Sequence, residues 1–292
     1  MQEMGYCLPR VKRGEVRMSK MWGVDDCNDN HPPGGGGIMG AVKLLPIGDF
    51  HVGSTTAIHP NVKKINGVWV SLDEIQGWRY KHNNHYFLSS TQLKIWRHIN
   101  YCLDYIRNQR KEKSLFVLVI GDVIDGDHHG THEVVTHNIS EQKDTFIVLM
   151  QYILEKLDYQ RGDTLAFVDG TFVHTGDEEA HVAEQLGAYQ FGNGEYSASR
   201  VTLTINGAVI WAYHKGVSAG MGATRGNSCV NKLKQIYYQC LTDGDKVPDA
   251  VITAHTHDAY HATWTAPNGK TMHYIITSSW QDKTRYVKDN MA

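Results

Sequence analysis

Residues 115–125 read Leu115-Phe116-Val117-Leu118-Val119-Ile120-Gly121-Asp122-Val123-Ile124-Asp125, and they give the clearest indication of the fold class. It opens with six consecutive apolar residues, three of them β-branched. A run of that length is typical of a strand buried on both faces, and it is short for a helix. The run stops at Gly121-Asp122, a pair that favours a turn. Because strands buried on both faces occur mainly in sheets covered by helices, the stretch predicts a layered α/β domain.

Strand and helix patterns alternate on both sides of this stretch. Upstream, residues 42–47 predict a strand that ends at Gly48-Asp49, and residues 91–113 predict a helix because apolar side chains recur at spacings of three and four. The order predicts an α/β or mixed α+β fold. Downstream, we predict a helix over 140–159, a strand over 165–168, a helix over 178–186, a hairpin of strands 201–205 and 208–213 around Asn206-Gly207, a helix over 229–241, and strands over 250–254 and 272–276.

Composition sets the class of protein. The chain has 292 residues, 41% hydrophobic and 21% charged, with a formal net charge of −2. This composition suits a globular domain. The small net charge gives no strong electrostatic attraction to nucleic acid or to a membrane surface. The five cysteines include no CxxC pair, and no apolar run is long enough to form a transmembrane helix. We therefore expect a cytoplasmic protein without a membrane partner, and the sequence indicates no particular oligomeric state.

The amino-terminal segment differs from the rest of the chain. Residues 1–38 combine scattered charge, Pro32-Pro33 and the four glycines at 34–37, and such a composition predicts a flexible or disordered leader. A single domain over 39–292 is predicted to follow. Within it, residues 59–88 form a polar and aromatic insert with weak hairpin signals.

Four predicted strands end in residues of the types that bind metals. Carboxylate and imidazole together suit zinc, manganese or iron, and the carboxyl ends of strands are where α/β sheets place reactive groups. Each ending alone is weak, since turn aspartates and surface histidines are common. Their joint occurrence predicts a metal site. The four endings are Gly48-Asp49-Phe50-His51, Gly121-Asp122-Val123-Ile124-Asp125, Tyr213-His214-Lys215-Gly216 and Ala254-His255-Thr256-His257.

The spacing within these endings carries its own prediction. In Asp49-x-His51 and His255-x-His257, alternate side chains of an extended segment point to the same side. Both members of each pair can then face one cluster. The glycines before Asp49 and Asp122 allow tight turns and a close approach of the backbone.

The order of these motifs resembles the calcineurin-like metallophosphoesterase superfamily, from about residue 43 to at least 280. The resemblance implies a double β-sheet sandwich flanked by helices, in four layers, with the site at the strand ends. It also implies two divalent metal ions, whether Mn²⁺, Zn²⁺ or Fe²⁺. By that resemblance, Asp49, His51 and His257 hold one metal, His214 and His255 hold the other, and Asp122 bridges the two.

The third motif of the superfamily is altered in this chain. Gly170-Thr171-Phe172-Val173-His174 follows a predicted strand and resembles a variant found in phage and prophage subgroups, with His174 as the catalytic histidine. Gly176-Asp177-Glu178-Glu179 competes for the same place. Glu179 or Asp177 could replace the asparagine ligand, although an acidic first helical turn explains both residues equally well.

Further residues have alternative roles. His128 and His129 could face the substrate phosphate or orient a ligand, or could simply be exposed. Arg225 and Lys215 could supply positive charge for phosphate, while Asp125 could stabilise a turn.

The function that follows is hydrolysis of a phosphate ester by a hydroxide that two metals activate. We expect a phosphodiester, as in a nuclease or nucleotide phosphodiesterase, acting in the host cytoplasm if the chain is phage-encoded. The alternatives are a phosphomonoesterase or protein phosphatase, and a non-catalytic scaffold with a degenerate site. A metallo-β-lactamase-type site is set aside because the sequence lacks His-x-His-x-Asp-His.

Overall fold

The computed structural model describes residues 42–282 except 76, 80–84, 112, 128–132, 173–175 and 177. The predicted leader, His128, His129, His174 and Asp177 therefore lie outside the described residues. The strands are β1 (Val42–Gly48), β2 (Val62–Ile65), β3 (Val68–Ser71), β4 (Trp78–Arg79), β5 (His85–Tyr86), β6 (Ser114–Ile120), β7 (Thr164–Val168), β8 (Ser197–Ala198), β9 (Val201–Ile205), β10 (Ala208–Lys215), β11 (Ala250–Ala254), β12 (Tyr260–Thr265) and β13 (Thr271–Ile276). The helices are α1 (Ser90–Arg110), α2 (Ile139–Lys156), α3 (Glu178–Gln185) and α4 (Asn227–Asp243).

Two larger sheets form the centre of the fold. The first has the order β1-β6-β7-β8 and is parallel throughout. The second has the order β12-β13-β11-β10-β9, with a parallel centre of β13, β11 and β10 and an antiparallel strand at each edge. The mixed α/β class predicted from the sequence is confirmed.

Three apolar clusters show how the layers stack. One face of β6, with Leu115, Val117 and Val119, packs against α1 and α2. The opposite face, with Phe116 and Leu118, packs against residues of β9, β10 and β11 in the second sheet. A third cluster lies between the second sheet and α4. The result is four layers in the order helix, sheet, sheet, helix, with β6 buried on both faces as its continuous apolar run predicts.

The predicted elements are found with small shifts at their ends. The predicted helices and strands lie within three residues of their predicted bounds. Helix α1 begins after Ser89, whose side chain and that of Gln92 form a capping box. The Asn206-Gly207 turn joins β9 to β10 with both residues at positive φ, as a two-residue hairpin requires. The edge strand β12 was not predicted from the sequence. Its exposed and buried residues nevertheless alternate in Tyr260-His261-Ala262-Thr263-Trp264.

The segment 59–88 contains two small hairpins. Strands β2 and β3 pair around Asn66-Gly67, a second turn of the same kind, and β4 pairs with β5. Leu72 and Trp78 form a small apolar cluster there. The hairpin signals of the sequence are thus confirmed, whereas the division into a domain with an insert stays a prediction. Among the described helices, none combines the length and the apolar character needed to cross a membrane.

Candidate metal centre

The carboxyl ends of four strands meet at one place in the fold. Strands β1 and β6 are parallel neighbours whose last residues, Gly48 and Ile120, are paired. The chain after β1 stays attached to the chain after β6, because His51 N donates to Asp122 O at 2.9 Å. From the second sheet, the backbone N–H of His255 donates to both carboxylate oxygens of Asp49, at 3.1 and 2.8 Å. Both sheets therefore contribute side chains to one site.

The backbone at the site is left-handed. Asp49, His51, Asp122, His255 and His257 all have φ between 46° and 70°, a region that non-glycine residues rarely adopt. The prediction that Asp-x-His and His-x-His converge through extended backbone was therefore wrong. Consecutive turns bring these side chains together, and such strained conformations persist only where the surrounding structure fixes them.

A glycine makes room for the central ligands. Gly121 has φ +62°, and a Cβ there would lie 2.5 Å from Gly170 Cα and 2.6 Å from His214 Nδ1. Any side chain would push against the backbone of the next strand end and against a histidine of the site. The Gly-Asp pair of the sequence thus has a steric cause, as predicted.

Asp49, His51 and His257 form the first cluster, with one ligand atom of each residue lying within 4.8 Å of the others. The Nε2 atoms of His51 and His257 are 3.1 Å apart. His257 Nε2 lies 4.0 Å from Asp49 Oδ1. Asp49 and His51 are buried, and the side chain of His257 is 32% exposed, so the cluster is reached from solvent on the His257 side.

Asp122, His214 and His255 form the second cluster, under the same 4.8 Å limit. His214 Nε2 lies 3.0 Å from Asp122 Oδ2, and His255 Nδ1 lies 4.0 Å from the same oxygen. His214 is buried, and the side chain of His255 is 32% exposed. The second cluster therefore also combines buried ligands with one ligand near solvent.

Asp122 connects the two clusters. Its Oδ2 lies 3.8 Å from His51 Nε2 of the first cluster as well as 3.0 Å from His214 Nε2 of the second. Asp49 Oδ1 lies 3.9 Å from His214 Nδ1. The six residues predicted as ligands are thus brought together, with the Asp122 carboxylate between the two groups.

Burial and neighbouring charges perturb the pKa values here. Burial raises the pKa of Asp49 to about 6, although His51 and His214 act in the opposite direction. For the histidines, burial alone lowers the pKa, but the neighbouring carboxylates outweigh it. The result is a raised pKa for His51, mainly through Asp125 and Asp122, and a pKa of about 8 for His214, mainly through Asp122. Protonated imidazoles balance the buried carboxylates when no metal does.

The tautomer of His214 shows what the site is suited to bind. Its Nδ1 donates to the carbonyl of Ile120 at 3.0 Å, because a carbonyl can only accept. In the neutral imidazole, Nε2 then carries a lone pair that faces the lone pairs of Asp122 Oδ2 at 3.0 Å. Such a contact is stable only with a proton or a cation between the two atoms. Two groups of carboxylate and imidazole donors of this kind fit two divalent cations.

Two of the remaining predicted residues, Glu179 and Arg225, lie within the described part of the chain. Glu179 is buried at the start of α3, and its Oε1 and Asp122 Oδ1 lie within 2.6 Å of the point where a Gly170 Cβ would stand. Arg225 Nη2 donates to both carboxylate oxygens of Asp258, at 2.8 and 2.9 Å. This ion pair links Arg225 to the residue that follows the candidate ligand His257.

Two contacts at the site were missed from the sequence. Asp125 Oδ1 lies 3.4 Å from His51 Nδ1, so Asp125 orients a candidate ligand in addition to its place in a turn. Thr171 donates its backbone N–H to Asp122 Oδ1 at 2.6 Å. The Asp-x-x-Asp spacing held a signal for Asp125, whereas the contact of Thr171 depends on tertiary structure.

No family model and no curated protein sequence matches this chain. Among solved structures, an archaeal phosphodiesterase aligns with a TM-score of 0.30 and 10% identity, over 64% of this chain and 78% of that one. A Thermotoga maritima protein solved by solution NMR aligns with a TM-score of 0.25 and 16% identity, over 61% of this chain and 73% of that one. These likenesses are too low to assign a family.

Proposed function

We propose that this protein is a metal-dependent phosphoesterase with a dinuclear site, acting on phosphodiesters of the nucleotide or nucleic-acid type. One observation carries the proposal: six carboxylate and imidazole side chains converge as two adjoining clusters, with Asp122 Oδ2 within 3.8 Å of a histidine nitrogen in each. In the proposed site, Asp49, His51 and His257 bind one cation, His214 and His255 bind the other, and Asp122 bridges them. Glu179 is an additional candidate ligand.

The residues of the proposed site have separate roles in the reaction. When bound, the two cations would supply Lewis acidity toward the phosphate oxygens and lower the pKa of a nucleophilic water. The left-handed turns and the backbone donors to Asp49 and Asp122 fix the carboxylates before substrate arrives. His174 is the proposed proton donor to the leaving group, and His128, His129 and Arg225 are proposed to bind phosphate.

An exposed aromatic ring favours a base-bearing substrate. Phe172 follows Thr171 directly, and its side chain is 78% exposed. Nucleobases stack on such rings with little dependence on sequence, which suits a nucleotide or single-stranded nucleic acid. The formal net charge of −2 is a poor match for tight binding of duplex DNA, which depends on cationic contacts to phosphate.

The test is a hydrolysis assay of the metal-stripped protein resupplied with Mn²⁺, with bis-p-nitrophenyl phosphate beside p-nitrophenyl phosphate. We expect Mn²⁺-dependent turnover with a preference for the diester. Asp122→Ala should reduce kcat/KM on the order of a thousandfold, since it removes a charge from both cations. The matched control is Asp104→Ala on the surface of α1, where the carboxylate lies 3.3 Å from Arg107.

The outcome of the hydrolysis assay distinguishes the proposed function from its alternatives. Equal activity of the Asp122→Ala and wild-type proteins would refute the proposal. A preference for p-nitrophenyl phosphate would favour a phosphomonoesterase in place of a phosphodiesterase. Bound Mn²⁺ without turnover of either ester would favour a non-catalytic scaffold that has kept its metal site.

A further inference from the structure

Thr171 extends the second cluster beyond its three candidate ligands. Its hydroxyl Oγ1 lies 3.3 Å from His255 Nδ1 and 3.4 Å from Asp122 Oδ2. Both of those atoms belong to the second cluster. The hydroxyl therefore lies beside an imidazole nitrogen and a carboxylate oxygen of this cluster.

These separations match those between neighbouring ligands of one metal ion. With metal–ligand bonds of about 2.0–2.1 Å, ligand atoms of a tetrahedral site are about 3.4 Å apart, and adjacent ligands of an octahedral site are about 3.0 Å apart. The contacts of Oγ1 at 3.3 and 3.4 Å, and of His214 Nε2 with Asp122 Oδ2 at 3.0 Å, fall in this range. A hydroxyl oxygen is also a ligand that hard cations such as Mn²⁺ accept.

The local backbone places Thr171 and leaves it little freedom. A Cβ on Gly170 would meet the backbone nitrogen of Asp122 and would lie 2.6 Å from Asp122 Oδ1, so only glycine lets the chain pass this close. Thr171 N then donates to Asp122 Oδ1 at 2.6 Å. This bond holds one oxygen of Asp122 and leaves Oδ2 for the cluster. One residue thus fixes the bridging carboxylate through its backbone and faces the cluster through its side chain.

We propose that the Thr171 hydroxyl is a ligand of the cation in the second cluster, completing the set of Asp122, His214 and His255. This inference rests on the proposed dinuclear site and adds a residue to it. Glu179, whose Oε1 also lies close to Gly170, stays an additional candidate ligand beside Thr171.

The test is calorimetric titration of the metal-stripped full-length protein with Mn²⁺. Thr171→Val removes the hydroxyl and keeps the β-branched shape, while Thr171→Ser keeps the hydroxyl. His255→Ala and His257→Ala serve as references that remove one ligand from the second and the first cluster, respectively. Thermal unfolding without metal checks that each variant is folded.

For the wild type we expect two Mn²⁺ equivalents. Thr171→Val should weaken one of them roughly ten- to hundredfold and leave the other within about twofold, and Thr171→Ser should stay close to wild type. The weakened equivalent should be the one lost in His255→Ala, and the double variant should lose little more than His255→Ala alone, because the two side chains serve one cation.

Three results would overturn the assignment: unchanged titration of Thr171→Val, equal weakening of both equivalents, or weakening of the equivalent that His257→Ala loses. A wild-type protein that binds no Mn²⁺ would overturn the proposed function as well. A wild type with two equivalents, both retained in Thr171→Val, would leave that function standing and refute only the role of Thr171.

Discussion

Two groups of buried charged residues lie at opposite ends of the strands of the first sheet, and their hydrogen-bond partners differ. At the end of the sheet where β6 and β7 begin, Arg110 and Asp163 form an ion pair at 2.6 Å, and their side chains are 4% and 2% exposed. At the opposite end, after the last residues of β1 and β6, Asp49 and Asp122 face histidines. Burial is similar in the two places, so burial alone does not separate a structural charge from a functional one.

The difference lies in how the hydrogen-bonding capacity is used. Arg110 donates to both oxygens of Asp163 and to the carbonyls of Lys113, Leu157 and Asp158. The Asp163 carboxylate also accepts from two backbone N–H groups, Leu115 and Gln160. This network is complete within the chain. At the candidate metal centre, by contrast, His214 Nε2 and Asp122 Oδ2 face each other across 3.0 Å and need a proton between them, and the proposed cations would take the place of that proton.

The largest expected effect on stability is at the complete network. Asp163→Ala leaves the Arg110 guanidinium buried without its carboxylate, so the free energy of unfolding should fall by about 3–5 kcal/mol. Urea unfolding followed by circular dichroism measures this change, and Mn²⁺ affinity per folded molecule should stay the same. Asp104→Ala, which breaks an exposed pair with Arg107, should cost less than about 1 kcal/mol. Equal costs for the two variants would remove the distinction between the buried network and a surface pair.

Metal binding should produce the next largest effect. At a free Mn²⁺ concentration 100 times its Kd, each bound cation should add about 2.7 kcal/mol to the unfolding free energy of the wild type. Asp122→Asn should gain much less, because the neutral amide cannot neutralise two cations. Without metal, the same variant loses the repulsion between two adjacent buried carboxylates but also the attraction between Asp122 and protonated His214, so its unfolding free energy should change little. Large destabilisation of metal-free Asp122→Asn would mean that the metal centre is a structural network like that of Arg110.

The pH dependence should follow the raised pKa values at the metal centre. The pKa of His214 is raised from 6.5 to about 8, so in the metal-free protein its stabilising contribution is complete below pH 6.5 and is lost as pH rises through 8. Mn²⁺ competes with that proton. The Kd for Mn²⁺ should therefore decrease about tenfold for each unit by which pH rises towards 8. This change is equivalent to ~1.4 kcal/mol of binding free energy per pH unit. Calorimetry at several pH values in buffers of different ionisation enthalpy measures the released proton, and a Kd independent of pH between 6.5 and 7.5 would contradict the prediction.

The smallest effect belongs to a buried histidine outside the metal centre. Burial lowers the pKa of His59 from 6.5 to about 4, and its Nδ1 lies 2.9 Å from Pro60 O. Its contribution to stability is therefore complete above pH 6.5 and is lost as pH falls through 4. His59→Asn, which keeps a donor for Pro60, should reduce the difference in unfolding free energy between pH 7 and 5.5 by about 1 kcal/mol. An imidazole NMR signal of His59 that titrates near pH 6.5 would contradict this assignment.

Much of the fold could be predicted from the sequence, most clearly the central strand β6, because both faces of that strand are apolar. Leu115 to Ile120 is apolar throughout, and the structure buries it between a helical layer and a second sheet. The end of α1 could not be predicted, because its last residue, Arg110, is fixed by partners 47 to 53 positions away. Tertiary contacts of that kind leave no local pattern.

The residues of the candidate site could be selected from the sequence, whereas their backbone geometry could not. Motif order at strand ends is enough to select Asp49, His51, Asp122, His214, His255 and His257, which the structure brings together. The left-handed turns at Asp49 and His51 contradict the extended backbone expected from spacing. Thr171 gave no signal of its own, because its contacts depend on how Gly170 passes Asp122.

The proposed function requires that the two clusters around Asp122 bind a pair of cations. Anomalous diffraction at the manganese edge, from a crystal of the metal-stripped protein grown with Mn²⁺, locates such cations. We expect two anomalous peaks, one enclosed by Asp49, His51 and His257 and one by Asp122, His214 and His255. A map without a peak at either cluster, with the network closed instead by protonated imidazoles, would contradict it.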